Sequence, residues 1–426
     1  MFFNKKLAFI GVEGITHERK RKNSPLNGAL DIDLMKNLLL IIFSAMIVFA
    51  SCVKFPRLTE NKQVELKIPS NFDWKTFESV KVSSASSFSV VNQYGNTIAR
   101  NLPAGEYNLN VGKGSILTVV PVSAATKAFS EPVPGSETKV FFPAEDKYAT
   151  VMFEDLFPVS GDKDMNDLVF GLNIEFDLNS GTEEVTAINF NIQPRATGGI
   201  KSYIGLATNF TGLDVEVSKV IRTSKTYPQI IKDHSDLDPL YKVDKYDDYY
   251  IPVRMDDDII DFRVAPLTGN FNVFFIDPPS HYINVSNDEP FIEAHNFSAK
   301  VILNKILKFG EFQLIGNNDP NLVNIDIFAS FDKRSVEVHF KNQLPTKYFD
   351  ETLFKTGTAK PDFSSTDDNW VWAIMSAESI RHPLERVDIS KAYPSFLKWV
   401  NDNEPKWYID YDKKMVYNLG KFEYID

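Results

Sequence analysis

A cluster of oxygen-bearing side chains lies in the stretch FEDLFPVSGDKDMNDLVF, residues 153–170. Asp162, Asp164 and Asn166 occupy alternate positions in it. In a tightly curled loop, alternate side chains of this kind can converge on one point, as they do in the first half of an EF-hand loop. Because the stretch contains no His or Cys, its donors favour Ca²⁺ over zinc or copper. Such an ion would offset the repulsion between the carboxylates.

The sequence predicts a structural calcium ion held by side chains from both ends of this stretch. The candidate ligands are Asp162, Asp164, Asn166 and Asp167, with Glu154 or Asp155 closing the shell. Backbone carbonyls would complete the coordination. The stretch is not an EF-hand, because Asp167 stands at the sixth position, where that loop has Gly, and Asn173 stands at the twelfth, where it has Glu. The alternative is a solvated acidic loop whose Asp and Asn side chains hold turns through local hydrogen bonds.

Two predicted strands position this stretch. The segments KVFFP and YATVMF precede it, and LVFGLNIEFD follows it. Alternate residues of the last segment are apolar and lie on one face of a period-two pattern: Leu168, Phe170, Leu172, Ile174 and Phe176. The acidic cluster is therefore expected in a loop between two strands.

The chain as a whole is predicted to be mostly β. Its 426 residues exceed what one hydrophobic core usually serves. Alternating apolar residues and Gly-containing turns predict a small β-sandwich-like unit in residues 52–120. The Pro/Ser/Ala-rich residues 121–137 are expected to form a linker or long loop, and 138–420 a larger domain resembling a β-sandwich or jelly roll. A short C-terminal helix is predicted in KAYPSFLKWV, residues 391–400, with Tyr393, Phe396, Leu397 and Val400 on one face.

The N-terminal residues carry an export signal. The segment 35–51 contains a Lys followed by an apolar run too short to span a bilayer but typical of a secretory signal. It ends in small residues before Cys52, the chain's single cysteine, as in bacterial lipoprotein signals, in which that Cys is lipidated. A buried N-terminal helix is the alternative. Residues 1–34 are interpreted as the product of an over-long start-site assignment.

The composition argues against several classes of function. The formal net charge is −11, and KRK at 20–22 is the only basic cluster. This argues against a nucleic-acid partner, because phosphate binding needs a basic face. The six His residues are scattered, and neither His-Glu-x-x-His nor Gly-x-Ser-x-Gly occurs. We therefore expect no catalytic site, and we interpret His339 and His382 as structural or surface residues.

Three separate motifs resemble those of the LruC-domain family, a group of secreted or lipid-anchored bacterial proteins. The first is FFPAEDKYATVMFEDLFPVSGDKDMNDLVFGLNIEF, which contains the acidic stretch. The second is INFNIQPRATGG at 188–199, and the third is WVWAIMSAESIRHPLERVDISKAYPSFLKWV at 370–400. The resemblance implies one LruC-type domain over roughly 138–420 and calcium binding at its acidic motif. Phe157 and Met165 depart from the family pattern without removing a candidate ligand.

These observations favour a lipid-anchored protein of the bacterial outer membrane or cell surface. Its role would be adhesion, glycan or protein binding, or surface architecture. The alternative is an extracytoplasmic polysaccharide-degrading hydrolase, which would need two carboxylates facing each other across an aromatic-lined cleft, roughly 5 to 9 Å apart. The acidic, tyrosine-rich segment 232–262 could hold a second cation or present tyrosines to a ligand, although a solvated loop is the simpler interpretation.

Overall fold

The structure is a computed structural model. It describes residues 68–122, 137–199, 204–213, 215, 217–222, 259–261, 282–293, 296–331 and 335–425. The signal segment 35–51, Cys52, residues 1–34 and nearly all of the segment 232–262 lie outside the described residues. The interpretations of those segments therefore stay predictions.

Strands dominate the described part of the chain. They are β1 Phe77–Ser84, β2 Phe88–Asn92, β3 Thr97–Leu102, β4 Gly105–Gly112, β5 Leu117–Pro121, β6 Thr138–Phe142, β7 Ala149–Phe153, β8 Leu168–Leu178, β9 Glu184–Ala196, β10 Ile204–Gly212, β11 Val217–Arg222, β12 Ile259–Asp261, β13 Phe297–Lys308, β14 Phe312–Leu314, β15 Val323–Phe331, β16 Glu337–Val338 and β17 Ala373–Ser376. The helices are α1 Leu353–Thr356, α2 Ile389–Ala392 and α3 Phe396–Asp402, with 3₁₀ turns at Phe309–Glu311 and Trp407–Ile409. The prediction of a mostly β chain is confirmed.

Strand β8 is the centre of the largest sheet. It pairs with β9 along one edge, and on its other edge with β7 over its first half and β6 over its second. Apolar residues at every second position of β8 explain this central place. Leu168, Phe170, Leu172 and the apolar residues that follow at the same spacing are buried in one core. The opposite face carries Asn173, Glu175 and other polar side chains. Strands β10, β12, β14, β15 and β16 form a second sheet, in which β14 and β15 are parallel.

The largest sheet is continuous across residues 121–137, where we expected a domain boundary. Strands β2, β3 and β5 lie in the same sheet as β6 to β9, because β3 pairs with β6. The Thr76 hydroxyl also donates to the Met375 carbonyl at 2.7 Å, and β17 pairs with β7. Residues Glu65–Asp426 accordingly pack as one compact unit.

A second core brings the aromatic rings of Phe72 and Trp74 together with rings from residues 370–408. Trp74 contacts Trp370 at a centroid distance of 5.2 Å and Trp399 at 5.8 Å, both edge-on. Edge-to-face contacts of this kind add about 0.5–1.5 kcal/mol to area burial. Met152 of β7 and Val169 of β8 also belong to this core. Strands β7 and β8 therefore lie between the two cores, with alternate residues in each.

The predicted C-terminal helix is present but divided. Helices α2 and α3 are separated by Tyr393, Pro394 and Ser395. Proline lacks an N–H and restricts the residue before it, so Tyr393 takes an extended conformation. Tyr393, Phe396 and Val400 are buried as predicted, whereas Leu397 is partly exposed and Trp399 is buried instead. Among the described residues, none of the helices has both the length and the apolar character needed to cross a bilayer.

We expect Trp74→Ala to lower the free energy of unfolding by about 3–5 kcal/mol, because a large buried ring is removed. The loss should shift one cooperative transition, since Trp74 connects both ends of a single packed unit. Urea unfolding followed by far-UV circular dichroism measures this. Ile306→Ala, at a side chain that is 73% exposed, is the control and should change little. Two separate transitions, only one of them shifted, would contradict the expectation.

Candidate metal centre

The acidic stretch forms the hairpin loop between β7 and β8. Phe153 pairs with Leu168 at its base, so the prediction of a strand-to-strand loop is confirmed. Two apolar side chains of the loop are buried. The Phe157 ring packs edge-on against Trp372, with centroids 5.2 Å apart, and the Met165 side chain lies in the aromatic core. These anchors fix the polar residues between and around them.

The loop curls tightly where the acidic residues alternate. Lys163 and Met165 have positive φ angles, of 64° and 54°, a conformation that costs energy for residues other than glycine. Backbone amides support it, since the Met165 N–H donates to Glu154 Oε1 and the Asp155 N–H to Asp167 Oδ2, both at 2.7 Å. This curl brings carboxylate oxygens of Asp162 and Asp164 close to one of Glu154.

Three of the predicted ligands converge. Glu154, Asp162 and Asp164 each offer a carboxylate oxygen, and these oxygens lie within 4.8 Å of one another. Glu154 and Asp164 are buried, while Asp162 is exposed. Asp164 is also held from outside the loop, because the Arg386 N–H donates to its Oδ2 at 2.7 Å. Such a set offers oxygen donors only, which suits a hard cation such as Ca²⁺.

A fourth carboxylate, Glu385, joins the cluster from the C-terminal part of the chain. A Cβ placed on Gly198 would lie 2.0 Å from Asn166 Oδ1 and 3.0 Å from Glu385 Oε2. The amide and the carboxylate therefore meet over a glycine that leaves room for them. The Gly198 N–H donates to the Asn166 carbonyl at 2.9 Å, which holds the two chain segments together. Glu385 was not among the predicted ligands.

Three oxygens of the cluster are buried and have no hydrogen-bond partner among the described residues: Glu154 Oε2, Asn166 Oδ1 and Glu385 Oε2. Buried polar atoms are nearly always partnered, and a charged one left alone is costly. Each of the three candidate ligands thus has an acceptor oxygen without a donor. Glu154 lies at the start of the loop, Asn166 in its curled half and Glu385 outside it. This is the arrangement that a bound cation would satisfy.

The cluster is electrostatically strained as protein alone. Burial, and then the neighbouring Asp167 and Asp164, raise the pKa of Glu154 well above its usual value. Burial and Asp162 raise the pKa of Asp164 to about 7. Burial and Asp162 likewise raise the pKa of Glu385 to about 7. A bound cation would favour the ionised form of each group.

Little positive charge offsets this repulsion among the described residues. Lys163, the one base inside the loop, points away from the cluster and pairs with Asp368. It also lies over the Trp370 ring, 4.9 Å from its centroid. Arg386 contacts Glu385 at 3.6 Å through an exposed side chain, and exposed pairs contribute little. The cluster therefore keeps a net negative charge.

The remaining predicted ligands lie beside the cluster. Asp167 uses Oδ2 for the Asp155 amide, and burial followed by the charge of Asp155 raises the pKa of Asp167 well above its usual value. Asp155 lies against Gly199, because a Cβ placed on Gly199 would be 2.4 Å from Asp155 Oδ2. Asp155 and Asp167 thus form an adjoining acidic pair, while Glu154, Asp162, Asp164 and Asn166 line the candidate site with Glu385.

A sequence signal for Glu385 existed in the Pro-x-Glu segment of the third motif, at 383–385. The structure brings all three resembling motifs to this site: the acidic loop, the glycines after Ala196 and the segment around Glu385. No single motif contains the full donor set, so only their combination would have indicated it.

The two histidines interpreted as structural or surface residues are both buried. His339 bonds Asp326 through Nδ1 at 2.5 Å and Glu337 through Nε2 at 2.9 Å. Although burial lowers its pKa, these two carboxylates raise it overall, to about 9. The His382 Nε2–H donates to the Asn284 carbonyl at 2.7 Å, and burial lowers the pKa of His382 to about 4. The structural interpretation is confirmed for both, and neither side chain is at the surface.

Comparisons with known proteins relate the chain to others. The family model described as Domain of unknown function (DUF4842) matches residues 183–408, more than half of the chain. No curated protein matches. Among solved structures, the chain is similar to a crystal structure described as a putative lipoprotein from Bacteroides ovatus, with 16% identity and a TM-score of 0.47 over 81% of this chain and 93% of that chain. The family match starts after the acidic loop and includes Gly198 and Glu385.

We expect the metal-free protein to lose stability as pH rises from about 4 to about 7. Burial raises the pKa of Asp164 in the folded state to about 7. Its contribution to folding stability is therefore fully present below its unfolded-state pKa of about 4 and is lost as pH rises through its folded-state pKa of about 7. Asp164→Asn removes this ionisation and should flatten the decline. Urea unfolding in chelator at several pH values measures it, with the exposed Asp288→Asn as control. Equal slopes in wild type and Asp164→Asn would refute the assignment.

Proposed function

This chain belongs to the DUF4842 family, a domain of unknown function, and we propose that it is a lipid-anchored protein of the bacterial cell envelope whose acidic loop binds a structural calcium ion. The observation that carries the calcium proposal is the set of buried, unpartnered oxygens on Glu154, Asn166 and Glu385. They lie in one cluster with the carboxylates of Asp162 and Asp164. Oxygen donors in this number suit Ca²⁺, which takes six to eight.

The ion would act on the fold rather than on a substrate. Glu154 and Asp164 are buried and receive backbone N–H donors, so they are rigidly placed. Glycoside hydrolases keep their two carboxyl groups roughly 5 to 9.5 Å apart on either side of the scissile bond, whereas three carboxylates here lie within 4.8 Å of one another. Closely packed buried carboxylates favour a closed ion site over an acid–base pair. The proposed role is therefore non-catalytic.

The envelope location rests on the sequence. The apolar run 38–50 and the small residues before Cys52 support export and lipidation, with the lipid anchoring the chain to the outer membrane or cell surface. The similarity of three motifs to the LruC-domain family, whose members are secreted or lipid-anchored, supports the same location. A binding, adhesive or surface-architecture role fits a calcium-stabilised β protein of this kind.

Calcium titration of the chain from Val53 onward should show saturable binding, and calcium should raise the melting temperature, because a ligand that binds only the folded state stabilises it. Asp162→Ala/Asp164→Ala should lose both effects. The exposed pair Asp288→Ala/Glu289→Ala is the control and should keep them. If the wild type takes up no calcium and its melting temperature does not change, the loop is not a calcium site.

Glu385→Gln should weaken calcium binding by about tenfold or more, because loss of a charged contact costs about 1.5–3 kcal/mol. The substitution keeps the side chain's size and one acceptor oxygen, so it tests the charge. Calorimetry on Glu385→Gln beside the exposed Glu404→Gln measures the difference. Unchanged affinity in Glu385→Gln would remove this residue from the ligand set and leave the loop carboxylates as the whole site.

A further inference from the structure

A cleft of about 470 Å³ opens beside the polar face of the largest sheet. Its walls come from the turn between β2 and β3, the turn after β6, the end of β9 and the last residues of the chain. A second, mostly polar cavity of about 270 Å³ adjoins it, and both are lined by Asp146 and Tyr148. Together they form a groove distinct from the acidic loop.

Arg195 is the unusual residue of this cleft. Its side chain is 2% exposed and lies across Gly171 of β8, where a Cβ would come within 2.8 Å of its Nη2. Its Nε donates to Gln193 Oε1, Nη1 to the Thr150 hydroxyl and Nη2 to the Ser379 hydroxyl, at 2.9 to 3.1 Å. A guanidinium has five N–H donors, so two remain unused.

The charge of Arg195 has no carboxylate counter-ion among the described residues. Its other contacts are the rings of Phe422 and Tyr424, whose centroids lie 5.6 and 5.7 Å from its Cζ. Burial lowers the pKa of Arg195 to about 10, so the group stays charged at neutral pH. A buried cation without a counter-ion is costly, and an anion entering the cleft would relieve that cost.

The two lysines of the cleft wall already have acidic partners and are therefore less suited than Arg195 to bind an anion. Lys147 pairs with Glu423 at 2.9 Å, and Lys421 pairs with Glu293 at 3.1 Å. The Glu378 carboxyl is largely buried, and that burial raises its pKa. Arg195 is therefore the cationic group in this wall that lacks an acidic partner.

The second cavity also holds the Asp146 carboxylate and two ion pairs, Arg100 with Glu145 and Lys139 with Glu175. Besides these charged groups, the groove offers aromatic rings and amides. Tyr94 is 54% exposed at the cleft, and Tyr148 stands where the two cavities meet.

Amide side chains line the groove, with Gln193 in one cavity and Asn173 and Asn191 in the other. The Asn173 amide already donates to the Ala144 and Lys147 carbonyls, so Gln193 and Asn191 are the amides considered for a ligand. Sugar rings pack their apolar faces on aromatic rings, and their hydroxyls exchange hydrogen bonds with amides. A groove of this composition suits a chain of sugar units.

We propose that this groove binds an acidic oligosaccharide, with a carboxylate or sulfate of the sugar paired to Arg195 and a sugar ring packed on Tyr94. Arg195 suits both anions because its planar fork donates two parallel hydrogen bonds. The inference rests on the proposed binding role of the protein and names its ligand class. It does not depend on calcium.

The test is calorimetric titration of the full mature chain with three oligosaccharide series of matched length. Hyaluronan oligosaccharides carry carboxylates, chondroitin sulfate oligosaccharides add sulfates, and maltooligosaccharides are neutral. We expect an acidic series to bind at least about tenfold more tightly than the neutral one, which corresponds to about 1.4 kcal/mol. Arg195→Gln and Tyr94→Ala should each weaken that binding about tenfold or more, while Leu344→Ala, at a 50% exposed side chain, should not.

Two further arms keep the result interpretable. Tyr94 is exposed, so Tyr94→Ala carries the test if Arg195→Gln fails to fold. The folded part of an Asp162→Ala/Asp164→Ala preparation, identified by a cooperative melting transition, should still bind the acidic oligosaccharide. This result separates failure of the calcium site from failure of the groove. Binding of hyaluronan would assign a carboxylate partner, and binding of chondroitin sulfate alone a sulfate. No binding of either acidic series, equal binding of the neutral one, or full binding by Tyr94→Ala would overturn the proposal.

Discussion

Repulsion between buried carboxylates is the constraint around which the acidic loop and its surroundings are arranged. The raised pKa values of Glu154, Asp164 and Glu385 all have burial as their largest cause, with neighbouring carboxylates adding to it. A fold that only needed a turn between β7 and β8 could have used solvent-exposed polar residues at no such cost. The chain instead holds these groups with backbone amides and covers them with a segment more than two hundred residues away.

The two cores explain how this arrangement stays in place. Strands β7 and β8 place alternate residues into the main core and the aromatic core, so the strands that carry the loop are fixed on both faces. Within the loop, Phe157 belongs to the first core and Met165 to the second. The donors of the loop lie between and around these anchors. Displacing the buried ones, Glu154 and Asp164, would disturb this packing.

Local patterns in the sequence predicted what is local in the structure. The period-two alternation in β8 predicted that strand and its buried face. The acidic alternation predicted that Asp162 and Asp164 would lie close together, as their carboxylate oxygens do. Pro394 divides the helix expected in 391–400, because the proline restricts Tyr393. Tyr393, Phe396 and Val400 are nevertheless buried as predicted, while Trp399 rather than Leu397 completes the buried face.

Features made by distant segments could not be predicted in the same way. Glu385 reaches the loop only because the C-terminal segment packs on it, and the space above Gly198 depends on the register of β8 and β9. In the sequence, Arg195 is simply a residue near the end of a predicted strand. That it has no acidic partner among the described residues is seen only from its contacts in the structure. The continuity of the sheet across 121–137 likewise depends on pairing between strands on either side of it.

The aromatic core also has a consequence for the order of folding. Trp74 lies near the start of the described residues and Trp399 near their end, yet their rings are in contact. During synthesis, the early strands therefore emerge long before the rings that cover them, and closing so long a loop is slow. The native core forms only after nearly the whole chain is available. Until then, Trp74 and the residues of β7 and β8 that belong to the aromatic core lack the C-terminal rings that they pack against.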